Sequence, residues 1–343
     1  MNKLKSSILL VSASILFLAA CTKSTTSATD TEGNWVKVST LDGNARSFAV
    51  AFTIGNFGYV GTGLDGNNKL LSDFWKYDPT NNSWTQVASM PSGREAAVGM
   101  AIDGNGYVGT GTDSYGNYYN DFYQYNPTTD TWTKKANFPG AARSRATAFA
   151  IGDNGYITCG WDGNYYKDMY AYNATNDTWQ QEISLSGDKR FGAMSFVYNN
   201  MGYVVGGTNS GGQASVDFWR YNPATSNWTR LRDISNTTDS SFDDNYTNIA
   251  RTNGVAFVIG NQAFVATGQS VDAGSFLTST WSYDFATDLW EARTPYESTR
   301  SPRKGAVAFT VNGRAFIGTG INTTSPYDNF DEFIPSETYN AND

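Results

Sequence analysis

The sequence predicts an all-β chain in which six short, near-identical units close into one ring of four-stranded antiparallel sheets. Three observations carry this expectation. A strand-like piece recurs six times: GYVGTG at 58–63 and again at 106–111, GYITCG at 155–160, GYVVGG at 202–207, AFVATG at 263–268 and AFIGTG at 315–320. An arginine opens each unit and a tryptophan closes it at nearly constant distance: 38 residues from Arg46 to Trp84, from Arg94 to Trp132 and from Arg190 to Trp228, 39 from Arg251 to Trp290, and 34 from Arg145 to Trp179. The composition agrees, with 34 Gly, 21 Tyr, 20 Phe and 10 Trp against only 16% charged residues, enough turns and core for an ordered chain and too little charge for a disordered one. A repeat of about 50 residues makes the length one array of units rather than two or three separate domains.

Each unit reads as four strands in order. A small-residue apolar run comes first, such as AVAFTI ending at Ile54 or GAVAFTV ending at Val311, and the glycine-bearing piece follows it. The third strand is DFWKYDP at 73–79, DFYQYNP at 121–127, DMYAYNA at 168–174, DFWRYNP at 217–223 and TWSYDF at 280–285, and the fourth holds Trp84, Trp132, Trp179, Trp228 or Trp290. All four are short, β-branched or aromatic, and separated by Gly, Asn, Asp and Pro turns. The sixth unit begins at Arg303, runs through NFDEFIP at 329–335 and stops without a tryptophan. Asn34-Trp35-Val36-Lys37-Val38 matches Ser83-Trp84-Thr85-Gln86-Val87, so the N-terminal strand, residues 34–38, is expected to complete the last sheet and remove the open edges. Glycine pairs, Tyr-Asp/Asn-Pro and a late Trp resemble the kelch repeat over residues 34–340. The resemblance implies a six-bladed kelch-type β-propeller. The double glycine survives only at Gly206-Gly207, with Thr-Gly or Cys159-Gly160 elsewhere.

The first residues have a different character. Lys3 and Lys5 precede an apolar run from Ile8 to Ala20, and Leu18-Ala19-Ala20-Cys21 follows before the chain turns polar. A run of thirteen residues is too short to span a bilayer, which needs roughly 20. This resembles a bacterial lipoprotein signal, which implies loss of residues 1–20, lipid on Cys21, a flexible tether at 21–33 and a lipid-anchored protein of the cell envelope. Losing Lys3 and Lys5 would take the formal charge from -8 to -10, so nucleic acid is not an expected partner.

Function is expected on the face that carries the loops between second and third strands and the crossings between blades. Arg46, Arg94, Arg145, Arg190, Arg251 and Arg303 are placed near the inner end of each first strand. They would converge either as an electropositive funnel for carboxylates and sulfates or as structural pairs with the next blade, the common role of this position in the kelch consensus. Tyr115, Tyr118, Trp161 and Tyr165 bring rings to the same face among Asn, Asp and Gly, a mixture suited to sugars and to protein contacts. The crossing from Trp228 to Arg251 spans 23 residues where the others span 10 to 13, and its insertion carries Phe242 and Tyr246 as a possible flap over the axial opening. Asp65, Asp113, Asp162, Asn209 and Asn322 read as turn residues rather than catalysts.

The chain has no histidine, which excludes Ser-His-Asp and Cys-His nucleophiles and His-bound metals. Galactose oxidases share the kelch architecture but need histidines and a Cys-Tyr crosslink, and Cys159 sits within a strand-like piece. No metal, cofactor or catalytic residue is assigned. The reading is an envelope-anchored module that binds a glycan or protein ligand, anionic ligands included. A sugar-acid isomerase resembling the bacterial N-acetylneuraminate epimerases and a pure assembly scaffold are the alternatives.

Overall fold

A computed structural model describes residues 32–235, 246, 248–296 and 301–343. Residues 1–31, which hold the expected signal, Cys21 and most of the 21–33 tether, lie outside them, as does Phe242; the last two tether residues are tied down instead, the Thr294 N–H donating to the Glu32 carbonyl and the Gly33 N–H to that of Glu337. The strands all fall in one compact unit, Thr31–Asp343. They form six four-stranded sheets and two short two-stranded pairs, Arg46–Ser47 with Leu64–Asp65 and Arg190–Phe191 with Thr208–Asn209. In the first blade, Val50–Ile54, Phe57–Gly61, Phe74–Asp78 and Ser83–Val87 pair antiparallel in that order. The pattern repeats in blades two to five, whose first strands are Val98–Ile102, Thr147–Ile151, Met194–Tyr198 and Val255–Ile259. In the sixth, Lys304–Val311, Arg314–Ile321 and Phe330–Ile334 are joined by Asn34–Val38, in register from Asn34 opposite Ile334 to Val38 opposite Phe330. Each first strand contacts the first strands on either side, and the sixth contacts the first. The ring is a closed six-bladed kelch-type propeller.

The core lies between blades. Six apolar clusters each span two neighbouring sheets, and the cluster of Val60, Tyr77 and Trp84 with Phe309, Phe316 and Phe330 joins the first blade to the last. Fourth-strand tryptophans reach the blade before them: Trp132 lies 4.8 Å from Phe74 and Trp84 4.9 Å from Phe330, ring centre to ring centre. Their indole N–H groups donate to backbone carbonyls there, Trp84 to Ser39, Trp132 to Ala88 and Trp179 to Ala136. Hydrophobic burial and a directed hydrogen bond thus fix each blade against the last.

The Thr-Gly departures have a backbone cause. Thr62, Thr110, Cys159, Gly206, Thr267 and Thr319 have φ between 56° and 69°, and the glycines after them have φ between 90° and 108°. The first position accepts a non-glycine residue in the left-handed region. The second does not, because a Cβ on Gly63 would stand 2.7 Å from the Ser47 carbonyl. Cys159 is therefore not inside a strand but in the turn just after Asn154–Thr158, fully buried.

At the axis the backbone makes a second closure. Phe48, Ala96, Arg145, Gly192, Asn253 and Gly305 occupy one position in the six blades, all with φ between 51° and 65°. Each N–H donates to the carbonyl of its counterpart in the preceding blade: Ala96 to Phe48, Arg145 to Ala96, Gly192 to Arg145, Asn253 to Gly192, Gly305 to Asn253, and Phe48 back to Gly305, at 2.8–3.0 Å. This cyclic chain of six hydrogen bonds rims one mouth of the axial channel. Below it, the wall is made of small side chains such as Ala49, Ala97, Ala146 and Ala193.

Candidate functional site

Five of the six arginines proposed for a funnel do not line one. Arg46, Arg94, Arg190, Arg251 and Arg303 are fully buried. Each sends Nη1 to the carbonyl sixteen residues on, at Thr62, Thr110, Gly206, Thr267 and Thr319. Arg46, Arg94 and Arg190 also pair with Asp73, Asp121 and Asp217 at the head of their blades' third strands. Arg303 uses Asn329 there, and Arg251 uses Ser279, so burial without a carboxylate pushes the Arg251 guanidinium down to about 9. Charges held this way cannot reach a ligand.

Arg145 differs from all of these. The structural arginine of the third blade is Arg143, bonded to the Cys159 carbonyl and paired with Asp168 at 2.6 Å. Arg145 lies two residues further, in the axial hydrogen-bond ring, half-buried at the channel mouth. Its guanidinium rests between two rings, 5.3 Å from the centre of Phe48 and 5.5 Å from that of Phe191. Burial lowers its pKa and Glu95 opposes that effect, while burial raises the Glu95 carboxyl and Arg145 draws it back. Lys304 completes the set. Burial and then Arg145 itself depress its ammonium, which donates to Gln269 at 3.0 Å. Two cations and one carboxylate therefore share the mouth.

The loop aromatics divide in the same manner. Tyr118 meets Trp161 edge-on at 5.8 Å, Trp161 lies 6.3 Å from Phe191, and Tyr165 lies 5.5 Å from Phe191. These rings run from the second to the fourth blade and end on Arg145. Tyr115 stands apart, 90% exposed at a loop tip. Tyr119 and Tyr166, two other loop tyrosines, cover the buried Arg94 and Arg143 instead, at 4.8 and 3.9 Å. Tyr246 is no flap residue. It is 3% exposed, packs against Trp281, and its hydroxyl accepts the backbone N–H of Trp290. The turn residues act as turn residues: Asp113 Oδ1 accepts from the backbone of Tyr115 and Asn117, and Asn209 Oδ1 from Gly211 and Gln213. Among the described residues, no three Asp, Glu or Cys side chains are grouped to hold a metal ion.

Phe48, Glu95, Phe191 and Lys304 were not expected from the sequence. Their signal is positional, since they stand one or two residues after the arginine that lies sixteen before the turn carbonyl. Counting from that arginine exposes the one or two sites per blade that face the mouth, where the repeat varies from Ser47 to Glu95 to Phe191 to Lys304.

Comparison with known proteins agrees with this architecture. The Kelch motif family model matches residues 61–91 and 197–235. The fold is a kelch propeller. Kelch-like protein 15 of Danio rerio is 29% identical over 112 residues, 33% of this chain, and the match spans only 16% of that protein's length. A solved structure titled "Structure of YjhT" superimposes with a TM-score of 0.70 over 85% of this chain and 96% of its own, at 17% identity, a likeness of fold. Both kelch matches fall on turns and strands that build the blades, and the mouth residues Glu95, Arg145 and Lys304 lie outside them.

Proposed function

We propose that this propeller is a binding module whose axial mouth takes a ligand bearing a carboxylate on a ring or chain with an apolar face. The observation that carries this reading is Arg145, a cation at the mouth that is held by ring faces where the repeat's other arginines are held by carboxylates and carbonyls. A bound carboxylate would meet the Arg145 fork, with Lys304 adding charge, while Phe191, Trp161 and Tyr118 offer flat apolar surface to the rest of the ligand. Acidic sugars and acidic peptide side chains both meet this description. In a thermal-shift screen, glucuronate, N-acetylneuraminate and an Asp/Glu peptide should include a stabilising ligand whose effect disappears in Arg145→Ala. No shift from any acidic ligand would end the proposal.

One observation favours a second reading. Glu95 is a carboxyl with a raised pKa beside the cation that would hold the substrate's acid group, a setting suited to moving a proton. A sugar-acid isomerase would use its carboxylate to take the anomeric hydroxyl proton and deliver it to the ring oxygen as the bond between that oxygen and the anomeric carbon breaks and the carbonyl forms, and would run the same transfer in reverse on closure. Proton NMR of anomer exchange, with Glu95→Gln as control, separates this enzyme from a binder.

The same reading puts the propeller in the bacterial envelope, tied by lipid on Cys21. Lys3, Lys5, the apolar run 8–20 and Leu18-Ala19-Ala20-Cys21 support it. Mass spectrometry of the membrane fraction should find Cys21 as an acylated N-terminus, and an intact residue 1 would contradict the anchor.

A further inference from the structure

A cavity of about 550 Å³ opens between the fourth and fifth blades, apart from the axial mouth. Its origin lies in one repeat position. In every blade, a residue late in the loop between strands two and three donates its N–H to the turn glycine: Leu71 to Gly63, Tyr119 to Gly111, Tyr166 to Gly160, Ser215 to Gly207, Leu277 to Gly268 and Tyr327 to Gly320. Five of these side chains are large. Those of Tyr119, Tyr166 and Tyr327 lie over the buried arginines of their own blades, the last at 4.0 Å from Arg303. The fourth blade has serine instead, and the space above its Arg190–Asp217 pair is left as a cavity.

The lining is polar. Ser215 is 2% exposed and its Oγ is buried with no hydrogen-bond partner, an arrangement that costs free energy until something bonds to it. The floor holds Asp217, which accepts from the Trp219 indole at 2.6 Å, and the Trp219 ring lines the wall beside it. Asp188, Gln213 and Asp272 stand around the opening. Among the described lining residues Arg230 is the one guanidinium, and it is held by Asp233 through bonds of 2.8–3.1 Å. With Asp217 paired to Arg190, the carboxylates of Asp188 and Asp272 remain to disfavour an anion and to accept hydrogen bonds from hydroxyls.

We propose that this cavity binds a neutral pyranose unit, seated over the Arg190–Asp217 pair where other blades place their own tyrosine or leucine. The sugar's C–H face lies against Trp219, one hydroxyl bonds to Ser215 Oγ after rotation about χ1 turns it from its buried position toward the cavity, and others donate to Asp188 and Asp272. The volume falls in the usual range for small-ligand pockets, about 300–1,000 Å³, and leaves room for more than one sugar ring. The site is independent of the axial mouth.

Titration calorimetry of the full chain with the methyl glycosides of glucose, galactose, mannose and N-acetylglucosamine tests it. At least one should bind saturably. Ser215→Ala should weaken that binding about five-fold or more, the order of one hydrogen bond, with a melting temperature equal to or above that of the parent. Ser215→Tyr restores the side chain of blades two, three and six, and should abolish binding while the ring still folds. Arg145→Ala should leave the affinity unchanged. The proposal is overturned if none of the four glycosides binds, if binding survives Ser215→Tyr, or if only spermidine or N-acetyltyrosinamide occupies the cavity.

Discussion

Arg143 and Arg145 stand two positions apart in one segment, GAARSRA, and their surroundings give them opposite roles. Arg143 is enclosed and paired, so its loss leaves Asp168 without its partner and should cost about 3–5 kcal/mol. Arg145 has Glu95 as an internal competitor for any incoming carboxylate. Burial raises the Glu95 carboxyl above its unfolded value, so the neutral form is favoured in the folded state and ionisation costs stability as pH rises through the raised range. Protonation of Glu95 removes the negative charge that faces an incoming carboxylate beside Arg145. Affinity for a carboxylate ligand should therefore increase as pH falls into that range, and decrease again once the ligand's own carboxyl protonates at its lower pKa. Calorimetry across this interval should show the rise in the parent and a flat profile in Glu95→Gln; the same rise in the variant would remove Glu95 from the site. In the third blade the structural arginine lies 25 residues before its aspartate against 27 in the first, so no arginine stands at the usual 38 from Trp179 and both Arg143 and Arg145 fall near it. The distance that cannot vary is the sixteen residues from arginine to turn carbonyl, because one hydrogen bond spans it.

At the scale of one blade, the pairing of the opening arginine with the third strand's first residue is the repeated bond, and two blades depart from it. Ser279 stands where four blades have aspartate, and Arg251 remains charged among carbonyls and a hydroxyl. Ser279→Asp should restore the pair and stabilise the protein by about 1–2 kcal/mol, since the desolvation cost of the guanidinium is already present. Chemical denaturation measures this directly, and a destabilised variant would mean that the carbonyl cage alone neutralises Arg251. The strands themselves were legible from glycine spacing and alternation. The role of the long crossing was not, because Tyr246 looks like any loop tyrosine in sequence and becomes a core residue only through Trp281 and Trp290 on the neighbouring sheet.

Two closures hold the whole molecule: the six-membered backbone ring at the axis and the N-terminal strand in the sixth blade. Trp35 is 1% exposed, packs against Tyr296 and Phe333 at 4.8 and 4.7 Å, and donates to the Thr294 carbonyl. Removing residues 34–38 deletes that contact and bares the edge of Phe330–Ile334. The buried tryptophan alone is worth about 3–5 kcal/mol, so the melting temperature should drop sharply; an unchanged transition would refute closure by this strand. This closure was legible because a missing tryptophan at one end and a spare one at the other need no geometry to be matched. The mouth was not, since only the ring's rotation brings Phe48, Glu95, Arg145, Phe191 and Lys304 from five different blades to one place. The proposed site depends on the difference between the arginines that hold the ring and Arg145, which lies at the mouth between two rings. Glucuronate, or whichever acidic ligand stabilises the parent, titrated into Arg145→Ala alongside melts of Arg143→Ala and Arg145→Ala tests it. Arg145→Ala should lose binding with a parent-like melt and Arg143→Ala should melt at a strongly lowered temperature, whereas parent-like binding by Arg145→Ala would remove Arg145 from the site.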